Sequence, residues 1–340
     1  MSVRISLILL IWPFALFGQG FAGLGTSVDG YAMPQSGYEF EFPKDHGPHP
    51  EFRIEWWYVT ANLTGDDGQK YGVQWTLFRN ALAPHEDLDW SSPQVWMGHA
   101  AVTSETQHFI AERFGRGGIG QAGANDQALE AWIDDWRMTD TKMTARGFNW
   151  SYDLSLKPNG PLILHGDKGY SIKSEDGHAS YYYSQPFFEV EGTLLFPDGP
   201  VKVVGNAWLD REWSSQPLNA DQEGWDWFSL TFESGEKLMA FRLRQTDGSY
   251  FYSGTWISTE GIATAIQNDQ IFFEPLLEHR IGSVNLPIKW RVRLPLFGVN
   301  ATLNALNANS WMSVAIPYWE GPVIVSGQKQ GYGYLEMTGY

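Results

Sequence analysis

Runs of β-branched and aromatic residues alternate along this chain with two-residue turn signals, and this pattern constrains the fold more than any other feature. The turn pairs are Asp67-Gly68, Asn159-Gly160, Asp176-Gly177, Asp198-Gly199 and Asp247-Gly248. Such pairs between strand-like runs are typical of tight β-hairpins. Long amphipathic patterns with helix caps are nearly absent, and only 125–136 resembles a short helix. The sequence therefore predicts a mostly antiparallel all-β protein.

One hairpin pattern occurs twice. Residues 56–79 resemble 225–244 in the type and spacing of their aromatic residues. The matched pairs are Trp56 with Trp225, Tyr58 with Trp227 and Arg79 with Arg244. A weaker similarity links 149–156 with 289–294. Two related units in tandem, each closed as a barrel to hide its strand edges, explain both similarities, and chance resemblance between aromatic hairpins is the alternative.

The polar, proline-containing stretch within 205–224 is the expected border between the two units. We expect an N-terminal domain over 31–215 and a C-terminal domain over 216–340, which agrees with about two domains for a chain of 340 residues.

The N-terminus predicts export. A cationic start at Arg4 precedes the apolar run 5–17, and small residues follow. This run is shorter than the ~20 residues of a membrane span, so we expect a signal peptide over 1–22, cleaved after Gly20 or Ala22. An uncleaved anchor is the alternative. No later run reaches spanning length, which predicts an exported protein, periplasmic or secreted, with no integral membrane span after signal cleavage.

Charge and cysteine content exclude several classes of function. The formal net charge is −16 and no basic block is present, so the chain would repel the phosphates of a nucleic acid. The chain has no cysteine, which excludes disulfides, a thiol nucleophile and thiolate metal sites. Its 17 Trp, 15 Tyr and 20 Phe exceed what a core requires. A cavity lined by these rings would suit a flat or polyene ligand and would stabilise a carbocation.

Glu55 lies between apolar neighbours in a predicted strand, where an unpaired charge is costly. It needs a cationic partner, and Arg53, Arg79 and Arg211 are the candidates.

A second acidic segment lies between Trp208 and Trp213. Strand alternation places Asp210 and Glu212 on one face and Arg211 on the other. A carboxyl group walled by indoles has a raised pKa and can donate a proton near neutral pH. The alternative is a buried ion pair that joins the two barrels, for example between Arg211 and a distant glutamate such as that at position 55.

The histidines give weaker signals. His46 and His49 lie in a stiff loop without a third ligand at metal spacing, so we expect a loop across a barrel mouth and no metal site. His99 lies in an apolar strand, where a hydrogen-bonded core histidine is the more common case. The absence of a Gly-x-Ser-x-Gly elbow disfavours a serine hydrolase.

An ordered set of motifs covers nearly the whole chain after residue 30. The motifs lie at 42–50, 53–59, 74–79, 98–103, 112–113, 181–184, 210–216, 224–228, 238–239, 319–321 and 331–340. Together they resemble the lipocalin-like family of carotenoid 1,2-hydratases (hydroxyneurosporene synthases) and their AttH-type bacterial relatives. The chain is more similar to the exported AttH-type branch than to the pigment-pathway hydratases.

The resemblance implies two lipocalin-like (calycin-type) antiparallel β-barrels in tandem and chemistry without a cofactor on hydrophobic, often polyene, substrates. Fungal relatives include a phytoalexin hydratase and Diels–Alder cyclases. Hydration of a trisubstituted alkene needs an acid that protonates one carbon, aromatic walls around the resulting tertiary cation, and one water. Asp210 is the first choice for the acid, with Glu55 and Glu212 as alternatives. The expected ligand-binding residues are Trp56, Trp57, Tyr58, Trp75, Arg79, His99, Trp208, Arg211, Trp213, Trp225 and Trp227.

Three functions remain open. The first is an exported hydro-lyase of the carotenoid 1,2-hydratase type, which uses a carboxylic acid to protonate an isoprenoid or polyene-like substrate. The second is a non-catalytic periplasmic carrier of a hydrophobic small molecule. The third is an export or assembly accessory whose cleft grips a protein.

Overall fold

Two antiparallel sheets follow one another along the chain in the computed structural model, which describes residues 23–24, 26 and 29–340. The predicted signal peptide, 1–22, lies outside the described residues. The strands are β1 Ile54–Gly65, β2 Lys70–Ala81, β3 Gln94–Ser104, β4 His108–Arg116, β5 Ala122–Ala124, β6 Glu130–Ile133, β7 Trp136–Thr139, β8 Lys142–Arg146, β9 Ser151–Pro158, β10 Ile163–Leu164, β11 Tyr170–Ile172, β12 Ala179–Phe196, β13 Gly199–Ser214, β14 Gln222–Phe232, β15 Lys237–Gln245, β16 Tyr250–Ile257, β17 Ala263–Ile266, β18 Phe272–Ile281, β19 Val284–Leu294, β20 Val299–Ala305, β21 Trp311–Met312, β22 Tyr318–Gly327 and β23 Gly331–Met337. Two short 3-10 turns, Lys44–His46 and Pro295–Phe297, are the helical segments of residues 29–340.

The first sheet has 13 strands in the order β4-β3-β2-β1-β13-β12-β9-β8-β7-β6-β5, with β10 and β11 added beside β12. It curls until β6 packs against β2, β3 and β4, which makes a nearly closed barrel. Inside it lies an apolar core that includes the fully buried rings of Trp57, Trp75 and Trp136. Closure hides the strand edges that an open sheet would expose.

The second sheet has 10 strands in the order β17-β16-β15-β14-β23-β22-β20-β19-β18, with β21 beside β22. It forms a half-barrel around a separate core that includes Phe228, Trp290 and Trp319. The chain passes from the first sheet to the second between Ser214 and Gln222. The predicted all-β fold of two tandem units is confirmed, although the second unit is more open than the closed barrel that we expected.

The repeated hairpin has the same place in both sheets. β1 and β2 form the first hairpin and β14 and β15 the second, and the leading strand of each also pairs with the last strand of its sheet, β13 or β23. The weaker similarity, between 149–156 and 289–294, joins two strands that have different places in their sheets. β9 lies directly beside β12, whereas β19 is separated from β22 by β20.

The predicted helix over 125–136 is wrong. This segment contains β6, which forms a hairpin with β7 through Asp134, a residue with φ of 52°. Ala131 and Ile133 are buried while Glu130 and Trp132 are half-buried, so the side chains alternate with a period of two. That period is the signature of a strand and not of a helix.

The two sheets touch closely at Gly72 of β2. A Cβ at this position would lie 2.6 Å from Cγ of Pro322 and 2.7 Å from the hydroxyl oxygen of Tyr334, both in the second sheet. Nearby, the Tyr332 hydroxyl donates a 2.7 Å hydrogen bond to the Asn206 side chain. Glycine at position 72 therefore allows the two sheets to approach this closely.

Helices long and apolar enough to cross a membrane do not occur in the described part of the chain.

Candidate active site between the two sheets

A cavity of about 150 Å³ lies between the two sheets. Strands β1, β2, β3, β12 and β13 of the first sheet contribute to its wall, as do β14, β15, β22 and β23 of the second. Its apolar wall includes Trp56, Phe78, Trp225, Trp227, Phe241 and Leu243. The cavity is mostly lined by rings and alkyl groups, with a few polar side chains, which is the usual composition of a small-molecule site.

Asp210 of β13 is the buried acid in this wall. Its Oδ1 atom accepts hydrogen bonds from the Ser184 hydroxyl, from the Tyr182 hydroxyl at 2.8 Å and from Nε1 of Trp208 at 3.0 Å. Its Oδ2 atom is buried and has no hydrogen-bond partner among the described residues. Burial raises the pKa of Asp210 to about 7, because the loss of hydration outweighs these three donors and the charge of Glu212 adds to the rise.

The donors at Asp210 fix which oxygen carries the proton. Three groups donate to Oδ1, namely the Trp208 indole and the Ser184 and Tyr182 hydroxyls, so the lone pairs of Oδ1 are occupied. Trp227 donates a 3.0 Å hydrogen bond to the Tyr182 hydroxyl, which in turn donates to Asp210. The proton of the neutral acid therefore lies on Oδ2. A group near neutral pKa with a defined proton position fits the requirements of a general acid.

Glu212 lies on the same face of β13, as alternation predicts, and also lines the cavity. It forms an ion pair with Lys173 at 2.9 Å and accepts a hydrogen bond from the Ser180 hydroxyl. The Lys173 ammonium also lies 4.2 Å from the ring centre of Phe241. The cation and the carboxylate in this part of the cavity wall are therefore already paired.

Two glutamates of the second sheet are additional acids that the sequence analysis did not assign to the site. Glu336 lines the cavity, accepts a 2.7 Å hydrogen bond from Nε1 of Trp225, and has a pKa raised to about 7 by burial. Glu320 accepts a 2.5 Å hydrogen bond from the Tyr58 hydroxyl, and burial followed by the charge of Glu336 raises its pKa well above the usual range. In the sequence, Glu336 lies alone between Leu335 and another apolar residue, which is the same signal that marked Glu55.

His99 lies in the cavity wall and is hydrogen-bonded on both ring nitrogens. Nδ1 is 3.0 Å from the Tyr318 hydroxyl and Nε2 is 3.1 Å from Oε1 of Glu112. Burial lowers the pKa of His99 to about 4 despite the neighbouring carboxylate. This histidine is therefore neutral and firmly oriented beside the cavity.

Glu55 lies on the opposite face of β1, outside the cavity lining. It forms ion pairs with Arg79 and Arg211, and the His49 backbone N–H donates to it at 2.9 Å. Burial alone would raise its pKa, but Arg79 and then Arg211 hold it well below the usual range. The expected cationic partner is confirmed in two of the three candidates, whereas Arg53 hydrogen-bonds to Thr26 instead. A carboxylate held in this state is a structural anion and not a proton donor.

The remaining predicted residues surround this ion-pair network or the core of the first barrel. Arg211 lies 3.7 Å from the ring centre of Trp57 and 5.0 Å from that of Trp213. Trp75 is buried in the first barrel. The ion pair between Arg211 and Glu55 lies within the first sheet. The alternative interpretation of the sequence, in which this pair joins the two barrels, is therefore wrong.

The structure thus separates the predicted set into two groups. One group lines or adjoins the cavity, and its members are Trp56, Tyr58, His99, Trp208, Asp210, Glu212, Trp225 and Trp227. The other lies away from the cavity lining, and its members are Glu55, Trp57, Trp75, Arg79, Arg211 and Trp213.

The two loop histidines have protein partners. Nδ1 of His46 is 2.6 Å from the Tyr183 hydroxyl, and His49 stacks on Trp213 with ring centres 3.9 Å apart. Groups of three or more His, Cys, Asp or Glu arranged to hold a metal ion do not occur within the described residues.

Comparison with known proteins agrees with this architecture. No curated protein sequence matches the chain. A crystal structure of a protein assigned to AttH from Nitrosomonas europaea superposes with a TM-score of 0.82 at 32% identity, over 91% of this chain and 99% of the other. Kievitone hydratase from Nectria haematococca superposes with a TM-score of 0.68 at 14% identity, over 95% and 97% of the two chains, and shares the fold. The sequence model of the AttH-like family matches residues 33–340, and the chain therefore belongs to the AttH-like family.

Proposed function

We propose that this protein is a cofactor-independent hydratase that adds water to an alkene of a hydrophobic, isoprenoid or polyene-like substrate. The observation that carries the proposal is the state of Asp210. It is a buried carboxyl group at an apolar cavity, its pKa is about 7, and three donors on Oδ1 leave the proton on Oδ2. Protonation of an alkene needs a carboxyl group that still holds its proton near neutral pH, and the raised pKa of Asp210 supplies this, while the cavity has to stabilise the cation that forms.

In the proposed mechanism Asp210 transfers its Oδ2 proton to one alkene carbon, and the π electrons of the double bond form the new C–H bond. The adjacent carbon becomes a tertiary cation. The aromatic rings of Trp56, Trp225 and Trp227, which line the cavity, stabilise this cation, and the new carboxylate of Asp210 balances its charge. Water then adds to the cation, and the proton that it loses returns to Asp210. The net reaction adds one water, and the acid is regenerated without a cofactor.

The family relationship supports this proposal at the level of fold. Kievitone hydratase, which has the same fold, is by its name a hydratase. The AttH-like family, by contrast, carries no reaction in its name.

The test begins with the ligand. Native protein is extracted with organic solvent and the extract is identified by mass spectrometry, and a series of isoprenoid and polyene alkenes is then incubated with the protein in D₂O. The proposal predicts an alcohol that carries one new C–D bond. Asp210→Asn should abolish turnover, while Asp153→Asn, which changes an exposed carboxylate, should not. Turnover that survives Asp210→Asn would contradict the assignment of the acid.

A carrier function is the second candidate, because the ring-lined wall would bind a hydrophobic molecule without any chemistry. A carrier releases its ligand unchanged and incorporates no deuterium. Under both functions Trp56→Ala should weaken binding, so unchanged quenching of tryptophan fluorescence by the ligand would remove Trp56 from the binding surface.

We also propose that residues 1–22 direct export, on the basis of the cationic start and the apolar run. Expression of the full chain and of a chain without 1–22, followed by cell fractionation, tests this. Equal distribution of the two forms between cell fractions would contradict it.

A further inference from the structure

His165 is a fully buried histidine between the two sheets that the mechanism above does not use. Its Nε2 atom lies 2.6 Å from the Ser184 hydroxyl, and its Nδ1 atom lies 2.9 Å from the Thr255 hydroxyl. Ser184 in turn contacts Oδ1 of Asp210. A continuous chain of hydrogen bonds therefore runs from Thr255 in β16 of the second sheet to the acid in β13 of the first, and all four side chains are buried.

The direction of this chain follows from the acceptor at its end. The ionised Asp210 carboxylate can only accept hydrogen bonds, so Ser184 donates its proton to Oδ1, as Trp208 does. The Ser184 oxygen must then accept from Nε2–H of His165. In a neutral imidazole the other nitrogen carries no proton, so Nδ1 accepts from the Thr255 hydroxyl. Every donor in the chain points toward the acid.

We propose that His165 is a positioning residue for Asp210, which holds the Ser184 hydroxyl as a donor to Oδ1 and so keeps the acid proton on Oδ2. This role in catalysis rests on the proposed function, whereas the proton arrangement does not. The logic is that of a buried partner that fixes the tautomer and orientation of the next group.

The surroundings of His165 agree with a neutral ring. Burial, followed by the positive charge of Lys173, lowers the pKa of His165 well below its usual range. Its ring also lies against Tyr182, with ring centres 4.3 Å apart. Protonation of the ring would add an N–H at Nδ1, so the Thr255 hydroxyl would have to accept a hydrogen bond from His165 instead of donating one.

The titratable groups around Asp210 come from three strands and one loop. Tyr182 on β12 donates to it, Glu212 is its neighbour on β13, and Glu336 on β23 interacts with it through space. Lys173, after β11, pairs with Glu212. The variants below leave all of these side chains in place, so a change in the titration of Asp210 reports on the hydrogen-bond chain.

The first test is ¹⁵N NMR of histidine-labelled wild-type protein, with His165→Leu used to assign the signal. We expect His165 to be neutral, with the proton on Nε2, from pH 5 to pH 8. An Nδ1–H tautomer or a charged ring in this range overturns the proposal. This measurement needs no variant to be active and no substrate.

The second test follows the titration of Asp210 by ¹³C NMR of its carboxyl group. Ser184→Ala removes a donor to the carboxylate and should raise the pKa of Asp210 by about one unit. Ser184→Thr keeps the hydroxyl and should restore the wild-type value. His165→Leu should give a smaller rise, and His108→Leu should give none, because His108 pairs with Thr103 and not with this chain.

An unchanged Asp210 titration in both Ser184→Ala and His165→Leu overturns the proposal. If Ser184→Ala does not fold, the wild-type tautomer decides the question. Where turnover is measurable, the pH above which the rate falls should shift upward in each variant by the same amount as the pKa of Asp210. Absence of any turnover would refute the proposed function but would leave the NMR result, and with it the proton arrangement, intact.

Discussion

Asp210→Asn should make the protein more stable in alkaline solution while it removes catalysis. Asparagine has the shape of the protonated acid. Its carbonyl oxygen can accept from Tyr182, Ser184 and Trp208 as Oδ1 does, and its amide group replaces the Oδ2 hydroxyl. The substitution therefore keeps the neutral form permanently and removes only the ability to give up a proton.

The magnitude follows from the pKa of Asp210, which burial raises from 3.8 to about 7. A folded-state pKa above the unfolded value means that the folded protein binds the proton more tightly. The stability from this group is therefore fully present below pH ~4 and is lost as the pH rises through about 7. The total is about 4 kcal/mol, since one pH unit corresponds to about 1.4 kcal/mol. Asp210→Asn should escape this loss.

Urea unfolding of wild type and variant at pH 3.5, 6 and 8.5 measures the effect. The free-energy difference between variant and wild type should move by about 4 kcal/mol in favour of the variant across this range. Other carboxyl groups, such as Glu336, contribute to both proteins and largely cancel in the difference. A difference that stays constant between pH 3.5 and pH 8.5 would show that Asp210 is ionised in the folded protein and would refute the reasoning.

Three further predictions use the same structure. Hydratase turnover should fall about tenfold per pH unit above pH ~7, because the reaction needs protonated Asp210, and a rate that is flat to pH 9 would contradict this. Arg211→Met should lower the free energy of unfolding by about 3 to 5 kcal/mol, because the buried Glu55 then keeps only one of its two arginine partners. Calorimetry measures this free energy, and a loss under 1 kcal/mol would show that the ion pair is dispensable. Gly72→Ala places a methyl group against Pro322, so it should cost about 1 to 3 kcal/mol of stability and weaken ligand binding. Gly68→Ala, at an open turn with φ of 79°, should lose stability through backbone strain but leave binding unchanged, and equal affinities of the two variants would contradict the packing argument.

The sequence alone could predict those features of the site that depend only on a residue's position and neighbours within its own strand. Alternation placed Asp210 and Glu212 on one face and Arg211 on the other, and the apolar surroundings of Glu55 required a buried cation. These inferences succeeded because side-chain direction in a strand follows from position alone. The helix prediction for 125–136 failed because a short segment of alternating side chains was given the wrong period.

The parts of the site that the sequence interpretation missed lie where two sheets meet. Glu336 lies on β23, whereas Lys173 and His165 lie in loops after β11 and β10. All three are distant in sequence from Asp210, and no spacing rule relates them to it. Glu336 carried a local signal, as a lone charge in an apolar strand. His165 carried none, because its role depends on partners in two different sheets.

The close contact at Gly72 has a consequence for how the acid strength of this protein is controlled. Asp210 keeps its proton near neutral pH only while Trp227, Phe241 and their neighbours shield it from water, and these residues belong to the second sheet. Any event that separates the sheets by the width of a water layer would hydrate the carboxyl group and return it toward an ordinary, ionised aspartate. The pKa of Asp210 therefore reports on whether the two sheets are docked. A ligand that separated the sheets would lower this pKa and leave the carboxyl group ionised at neutral pH, unable to act as an acid.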